Sequence, residues 1–396
     1  MGSQGAAGEP ETNHASRGPA GADHGADGHF SDRLLRAIEA KGAPVCVGID
    51  PVAERLPSAI TNSGQRLLST DGTVDAIYEF CAELIDAVAD IVPAVKFQSA
   101  CFERYRHDGV EALFSLIEDA RSRDLIVIFD GKRGDIGLSA EHYAASIFQR
   151  PADFGGTAKK NGRDRGTGHE DSPLIGVDPT AADSITINPY FGTDGIDPFC
   201  RNGRGAFALV RTSNPGGTPI QQVKLESGET FAEFMAARVH EMGQAWVGRE
   251  GYSDLGAVVG ATHPSEINRL RAIMPQTLFL VPGFGAQGGS ADDVTACFNR
   301  DGRGAIITAS RSVIYAFEHP ERIARSASAA ADRRGSAAAA TPGTPGGDAH
   351  QTAAGSDHGA ADRAMAGSAS DSPRWVDHVA AAASAFADEI REILAG

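Results

Sequence analysis

The chain is short of positive charge. Its 396 residues carry 36 Lys and Arg against 52 Asp and Glu, a formal net charge of −16. General nucleic-acid binding and adhesion to an anionic membrane surface both rest on Lys and Arg meeting phosphates, so this balance argues against them. A small anionic ligand stays open, because a few cations focused in one pocket suffice. Cysteine is scarce too: Cys46, Cys81, Cys101, Cys200 and Cys297, an odd number with no C-x-x-C pair. That favours reduced, buried thiols and a cytoplasmic protein over a disulfide framework or a zinc site. No stretch approaches roughly 18 uninterrupted apolar residues, and the first 28 lack any apolar run, so neither a membrane span nor a signal peptide is expected. No G-x-S-x-G elbow supports Ser-His-Asp catalysis.

Large apolar residues are missing from three stretches. Residues 1–28 contain no Val, Ile, Leu, Phe, Tyr or Trp; 150–173 contain only Phe154; and 324–374 contain none. Such segments cannot bury enough apolar surface to offset their ordering entropy, so disorder is expected there. The organisation that follows is a tail over 1–28, a folded domain over 29–323 with a polar insert at 150–173, a low-complexity insert over 324–374, and a last helix over 375–396.

What remains alternates between β-rich runs and helical periodicity. Eight strands are expected at 43–50, 94–98, 125–131, 183–188, 205–212, 255–262, 277–282 and 304–309. They read as continuous apolar runs, as parallel strands covered on both faces do. Between them, 74–91 places Val74, Ile77, Tyr78, Cys81, Leu84, Ile85 and Val88 on one stripe. Segments 110–122, 139–149, 229–246 and 264–273 look similar, and 375–394 supplies a closing helix. Eight β/α units favour an α/β TIM (β/α)8 barrel over an open doubly wound sheet. The turn after the first strand reads GIDPVAERLP rather than G-x-G-x-x-G, which removes the main support for a dinucleotide fold.

In such a barrel the chemistry sits at the C-terminal ends of the strands. The first strand ends in Asp50, the second carries Lys96, and the third runs into Asp130-Gly131-Lys132-Arg133-Gly134-Asp135. On an extended strand residues i and i+2 share a face, so Asp130 and Lys132 are expected to project together. A lone D-x-K is commonly just a salt bridge; three strand ends converging on one rim carry more weight. The loops after strands seven and eight form the usual phosphate site of this fold. Here they read PGFGAQGG, with Gln287 and Gly288, and SRS, with Arg311. Glycines let backbone N–H groups approach an anion, and Arg gives a bidentate contact. Strand five ends in TSNPGG, where hydroxyl and amide groups suit a flat heterocycle. His263 has no second histidine near it and reads as an ordinary loop residue, so no metal site is expected.

These segments together resemble the orotidine 5′-phosphate decarboxylase family, in its longer bacterial branch (type 2). The resemblance rests on VCVGIDP (45–51), PAVKFQSACFERY (93–105), FDGKRGDIGLSAEHYA (129–144), INPYFGTD (187–194), LVRTSNPGG (209–217), VPGFGAQGG (281–289) and SRSVIYA (310–316), in the family's order. It implies a TIM barrel, a homodimer, and decarboxylation of orotidine 5′-phosphate to uridine 5′-phosphate without a cofactor. Carried over by position, Lys96, Asp130, Lys132 and Asp135 form the catalytic charge network. Asp50, Ser139, Ser213, Gln287, Gly288 and Arg311 bind substrate, with Asp135 and Ser139 reaching into the neighbouring subunit's site. Two positions depart from the pattern. Ser139 stands where Thr is usual, which keeps a hydroxyl. Gly131 replaces a small apolar residue, from which a slightly looser strand end is expected. Two rival readings are weighed: a Mg²⁺-dependent sugar-phosphate decarboxylase or aldolase sharing D-x-K-x-x-D, and a silent nucleotide-binding protein. The Lys96 segment and the SNPGG and PGFGAQGG loops speak against the first, and the full set of charged residues against the second.

Overall fold

The computed structural model describes residues 28–149, 178–260, 264–283, 291–321 and 374–395. Apart from Gly28 and Arg374, the expected tail and both inserts lie outside these residues, as do His263, Gln287 and Gly288.

Eight parallel strands close into a barrel in chain order: β1 Val45–Ile49, β2 Ala94–Gln98, β3 Ile126–Arg133, β4 Ser184–Ile187, β5 Gly205–Arg211, β6 Ser253–Val259, β7 Thr277–Pro282 and β8 Ala305–Ala309. Each overlaps a run expected from sequence, and β1 pairs with β8 to complete the ring. Around it lie α1 Phe30–Lys41, α2 Thr70–Val88, α3 Arg106–Ser122, α4 Gly137–Phe148, α5 Phe231–Gly243, α6 Pro264–Ile273 and α7 Trp375–Ala395, besides shorter turns. After β4 the connection is made of three 3₁₀ turns rather than a helix. Pro189 and Pro198 start two of them, and Gly192 turns the chain between them with φ of 74°.

Strand side chains alternate between two cores. Outward-facing residues such as Val45, Val47, Val95, Val127 and Ile185 pack under the helices. Inward-facing ones, among them Cys46, Ala94, Ile126, Ile128, Phe207, Val258, Leu278, Leu280 and Ile306, fill the barrel. This inner parity continues upward to Lys96 after Ala94, to Asp130 after Ile128, and to Thr186 after Ser184. At the far end α7 docks Trp375 into an aromatic cluster, with ring centroids 4.9 Å from Phe80 and 5.8 Å from Phe317.

Helix α1 was not expected from the sequence. It plugs the barrel floor: Phe30, Leu34 and Leu35 join the inner core. The Phe30 ring meets Phe207 edge-on at 5.7 Å, and Gly205 leaves it room, since a Cβ there would lie 2.1 Å from Phe30 Cδ1. The buried Asp254 carboxylate pins the helix start, accepting the Ser31 amide at 2.8 Å and lying 2.8 Å from His29 Nδ1. Phe30→Ala should therefore cost about 3 kcal/mol, the cavity cost of deleting a buried ring. Urea unfolding at neutral pH measures it; a loss under about 1 kcal/mol would mean the floor collapses onto the gap.

Candidate active site

A charged ladder stands at the C-terminal mouth of the barrel. Lys96 Nζ donates to Asp130 Oδ2 at 2.6 Å, and Lys132 Nζ donates to Asp130 Oδ1 at 2.6 Å. Register puts the groups there: Lys96 lies beside Ile128 across β2 and β3, and Gln98 beside Asp130. Lys96 and Asp130 are buried, while Lys132 is 46% exposed, so the ladder runs from inside the barrel to its opening.

Burial opposes ionisation of Asp130. The Lys96 and Lys132 ammonium groups outweigh it and hold the carboxyl down at about 2. For Lys96, burial disfavours the charge, but Asp130 overcomes this and raises its pKa. Lys96 and Asp130 thus each keep the other ionised.

Asp130 and Lys132 do meet, but not by extended i, i+2 geometry. Pairing advances from Phe129 to Arg133 on β3 while β4 advances only from Ile185 to Ile187, so β3 bulges between them. Lys132 sits in the left-handed region at φ 45°. For a residue with a Cβ that conformation costs about 1 kcal/mol or more and persists only where the surroundings hold it. Thr186 is the holder. Its Oγ1 accepts the Lys132 amide at 3.0 Å and donates to Asp130 Oδ1 at 2.7 Å. The sequence reading missed Thr186. Its signal was the alternation of Ser184 and Thr186 with Ile185 and Ile187 inside a run read as uniformly apolar.

The expectation for Gly131 is corrected. A Cβ at this position would lie 2.5 Å from Phe129 Cε1, and the Phe129 ring is itself stacked on Phe114 at 6.4 Å. Glycine lets the bulge fold tightly over that ring rather than loosening the strand.

Asp50, Arg311 and Ser213 sit at strand ends around the same rim. Asp50 follows β1. Burial raises its pKa against the pull of Ser310, Lys96 and Arg311, and its Oδ1 is buried with no hydrogen-bond partner among the described residues. The Tyr315 hydroxyl, accepting the Val52 amide at 2.7 Å, fixes the turn beyond it. Arg311 opens the short helix after β8, exposed and without an ion pair to a described residue. Ser213 follows β5 and packs against Gly260, where a Cβ would come 2.9 Å from the Ser213 amide nitrogen. Asp135 and Ser139 are not brought into the ladder by their own chain. Asp135 is half-buried and caps the Ile136 amide at 2.9 Å, and Ser139 is exposed on α4.

The ladder has a consequence for pH. The Asp130 carboxyl is depressed below its ordinary 3.8, so it adds stability above that value and loses it as pH falls toward about 2. Asp130→Asn should remove that part of the acid sensitivity. It should also lower stability at pH 7 by about 3 kcal/mol, because Lys96 stays buried beside no counter-charge. Urea unfolding at pH 7 and pH 3 checks both; unchanged stability at pH 7 would contradict the pairing.

Comparison with known proteins agrees with this geometry. Residues 43–155 and 176–327 match the family model described as "Orotidine 5'-phosphate decarboxylase / HUMPS family". The orotidine 5′-phosphate decarboxylase of Rhodopirellula baltica is 40% identical over 296 residues, covering 74% of this chain and 90% of that protein. That of Caldicellulosiruptor bescii is 37% identical over 297 residues, 74% of this chain and 91% of the relative. A solved Streptomyces avermitilis structure, assigned as an orotidine 5′-phosphate decarboxylase, superposes with a TM-score of 0.60 at 26% identity, covering 93% of this chain and 97% of its own. With a Lys-Asp-Lys ladder at the mouth of an eight-stranded barrel and this similarity over most of the relatives' length, the chain belongs to the orotidine 5′-phosphate decarboxylase family.

Proposed function

We propose that this chain converts orotidine 5′-phosphate to uridine 5′-phosphate and carbon dioxide, the last step of de novo uridine 5′-phosphate synthesis, and that the Lys96–Asp130–Lys132 ladder carries the reaction. The chemical difficulty is a carbanion at C6 of the pyrimidine, with no adjacent carbonyl able to delocalise it well. Groups already oriented in a water-poor site stabilise such charge best, because they need no reorganisation as it develops. The ladder has that character: two ammonium groups fixed on one carboxylate at 2.6 Å each.

Lys132 is the general acid, its ammonium lying against C6 and delivering the proton as the carboxylate leaves. Asp130 stands near the departing carboxylate and holds the Lys132 ammonium in place. Its repulsion of that group adds ground-state destabilisation, a contribution whose size is disputed in general. Lys96 fixes Asp130 from beneath. Asp50 binds the ribose hydroxyls, which suits its unpartnered Oδ1. Ser213 reads the pyrimidine edge, and Gln287, Gly288 and Arg311 hold the phosphate. Phosphate binding is remote from C6 but helps order the site, so truncated substrates lose rate as well as affinity.

The working form in this reading is a homodimer in which Asp135 and Ser139 serve the neighbouring site. Asp135 makes no ion pair with a described residue, and exposed apolar side chains follow it at Ile136, Leu138 and Tyr143 and stand in the turn after β4 at Tyr190 and Phe191. Tyr190 and Phe191 meet at 6.2 Å, and Phe191 Cε2 would lie 3.5 Å from a Cβ on Gly134. Exposed apolar side chains on these segments suit a second copy. A cytoplasmic location fits five free thiols, four of them buried. No helix among the described residues is long and apolar enough to cross a membrane.

Two experiments test these roles. Lys132→Ala should lose at least about a thousandfold in kcat while binding uridine 5′-phosphate nearly as well, since a group used only in the transition state is removed. Turnover near that of the unmodified enzyme would remove Lys132 from the chemistry. Mixing inactive Lys132→Ala with inactive Asp135→Ala should restore about a quarter of the normal activity, because half the dimers are hybrids with one intact site. If the mixture stays inactive after subunit exchange, Asp135 does not act across the interface.

A further inference from the structure

The loop after β5 holds more than Ser213. Arg211, the last residue of β5, is buried and lies beyond a register shift, paired with Val259 of β6. Its Nε donates to Glu266 Oε1 at 2.9 Å, from the first turn of α6, and its Nη1 donates to the Thr212 carbonyl at 2.6 Å. The Gln221 side chain closes the arrangement. Its Oε1 accepts the Thr212 amide at 3.0 Å and Arg211 Nη1 at 3.1 Å, while its Nε2 donates to Thr212 Oγ1 at 2.8 Å. Thr212 Oγ1 in turn donates to Asn214 Oδ1 at 2.7 Å.

One half-buried amide thus satisfies backbone and hydroxyl of the residue before Ser213, and through that hydroxyl reaches the residue after it. The opposite side is equally closed. Gly260 lies against the Ser213 amide, and Gly217 is packed so closely that a Cβ would come 2.8 Å from Thr212 Oγ1 and 3.1 Å from Gln221 Nε2. Ser213 itself is half-buried and makes no side-chain hydrogen bond to a described residue. Its direction is therefore set by its neighbours, and the neighbours are set by Gln221.

We propose that Gln221 is a positioning residue for recognition of the pyrimidine: it fixes Thr212 and Asn214 so that the Ser213 between them meets the edge of the base. The inference rests on the reading of Ser213 as the base contact. Gln221 does not touch substrate in this account. It preorganises a polar contact, so its loss is felt by ligands carrying the base and not by the ribose phosphate alone.

Binding of uridine 5′-phosphate and of ribose 5-phosphate to the full chain, by calorimetry, separates the possibilities. Gln221→Ala should weaken uridine 5′-phosphate about tenfold, the equivalent of one well-made hydrogen bond. It should leave ribose 5-phosphate within about twofold, and KM for orotidine 5′-phosphate should rise more than kcat falls. Gln221→Glu, which keeps the acceptor facing Arg211 and the Thr212 amide, should recover most of the loss and guards against simple misfolding. Equal weakening of both ligands by Gln221→Ala would show general loosening and overturn the proposal. So would unchanged uridine 5′-phosphate binding in Gln221→Ala while Ser213→Ala loses it selectively. If Ser213→Ala shows no base-selective loss, the reading of Ser213 falls and the proposal with it.

Discussion

Burying Lys96 and Asp130 side by side is the constraint on which the rest of this structure depends. Each charge taken singly out of water costs several kcal/mol, and their attraction offsets that only with good geometry and satisfied hydrogen bonds. Here the geometry comes from register: parallel β2 and β3 place the two side chains on the same inward face near the top of the barrel. The second carboxylate oxygen is taken up by Lys132 and Thr186. The cost of Lys132 in the left-handed region is then intelligible. A bulge turns the strand so that a second ammonium reaches Asp130 from the mouth, while Gly131 gives way to Phe129 beneath it. Local strain and the glycine are both conditions for one carboxylate to hold two ammonium groups.

The barrel isolates this network from below. Its interior is filled by aliphatic and aromatic residues, and α1 seals the floor with Phe30 against Phe207. Lys96 thus meets apolar packing on one side and Asp130 on the other, which is why its charge depends so strongly on that partner. Above the ladder, the rim turns are each held by a separate device: the Tyr315 hydroxyl on the Val52 amide beyond Asp50, the Arg211 and Gln221 clamp around Ser213, and Thr186 beneath Lys132. Preorganised electrostatics demands such holders, because groups that must move as charge develops give little of their interaction energy to the transition state.

The eight strands were legible because parallel strands covered on both faces become short continuous apolar runs, and the closing turn residues mark their ends. The charged rim was legible because Lys96, Asp130 and Lys132 interrupt such runs where a fold of this kind places its chemistry. What escaped was tertiary in origin. Helix α1 precedes the first strand and has no place in a strict β-then-α repeat, although Phe30, Leu34 and Ile38 recur at helical spacing. The bulge at 130–132 cannot be read from D-G-K, since the same letters fit an extended strand; it exists because Thr186 and Asp130 make it stable together. Thr186 and Gln221 are ordinary polar residues in the sequence, and only the closed ring brings each to the group it holds.

The central claim is that fixed protein charges, with no metal, drive the decarboxylation. The direct test is to strip the purified protein exhaustively with chelator and follow the ultraviolet absorbance of orotidine 5′-phosphate together with released carbon dioxide. The account predicts full conversion to uridine 5′-phosphate and carbon dioxide in equal amounts, at the rate seen before stripping. Activity lost on stripping and restored by a divalent cation would contradict it.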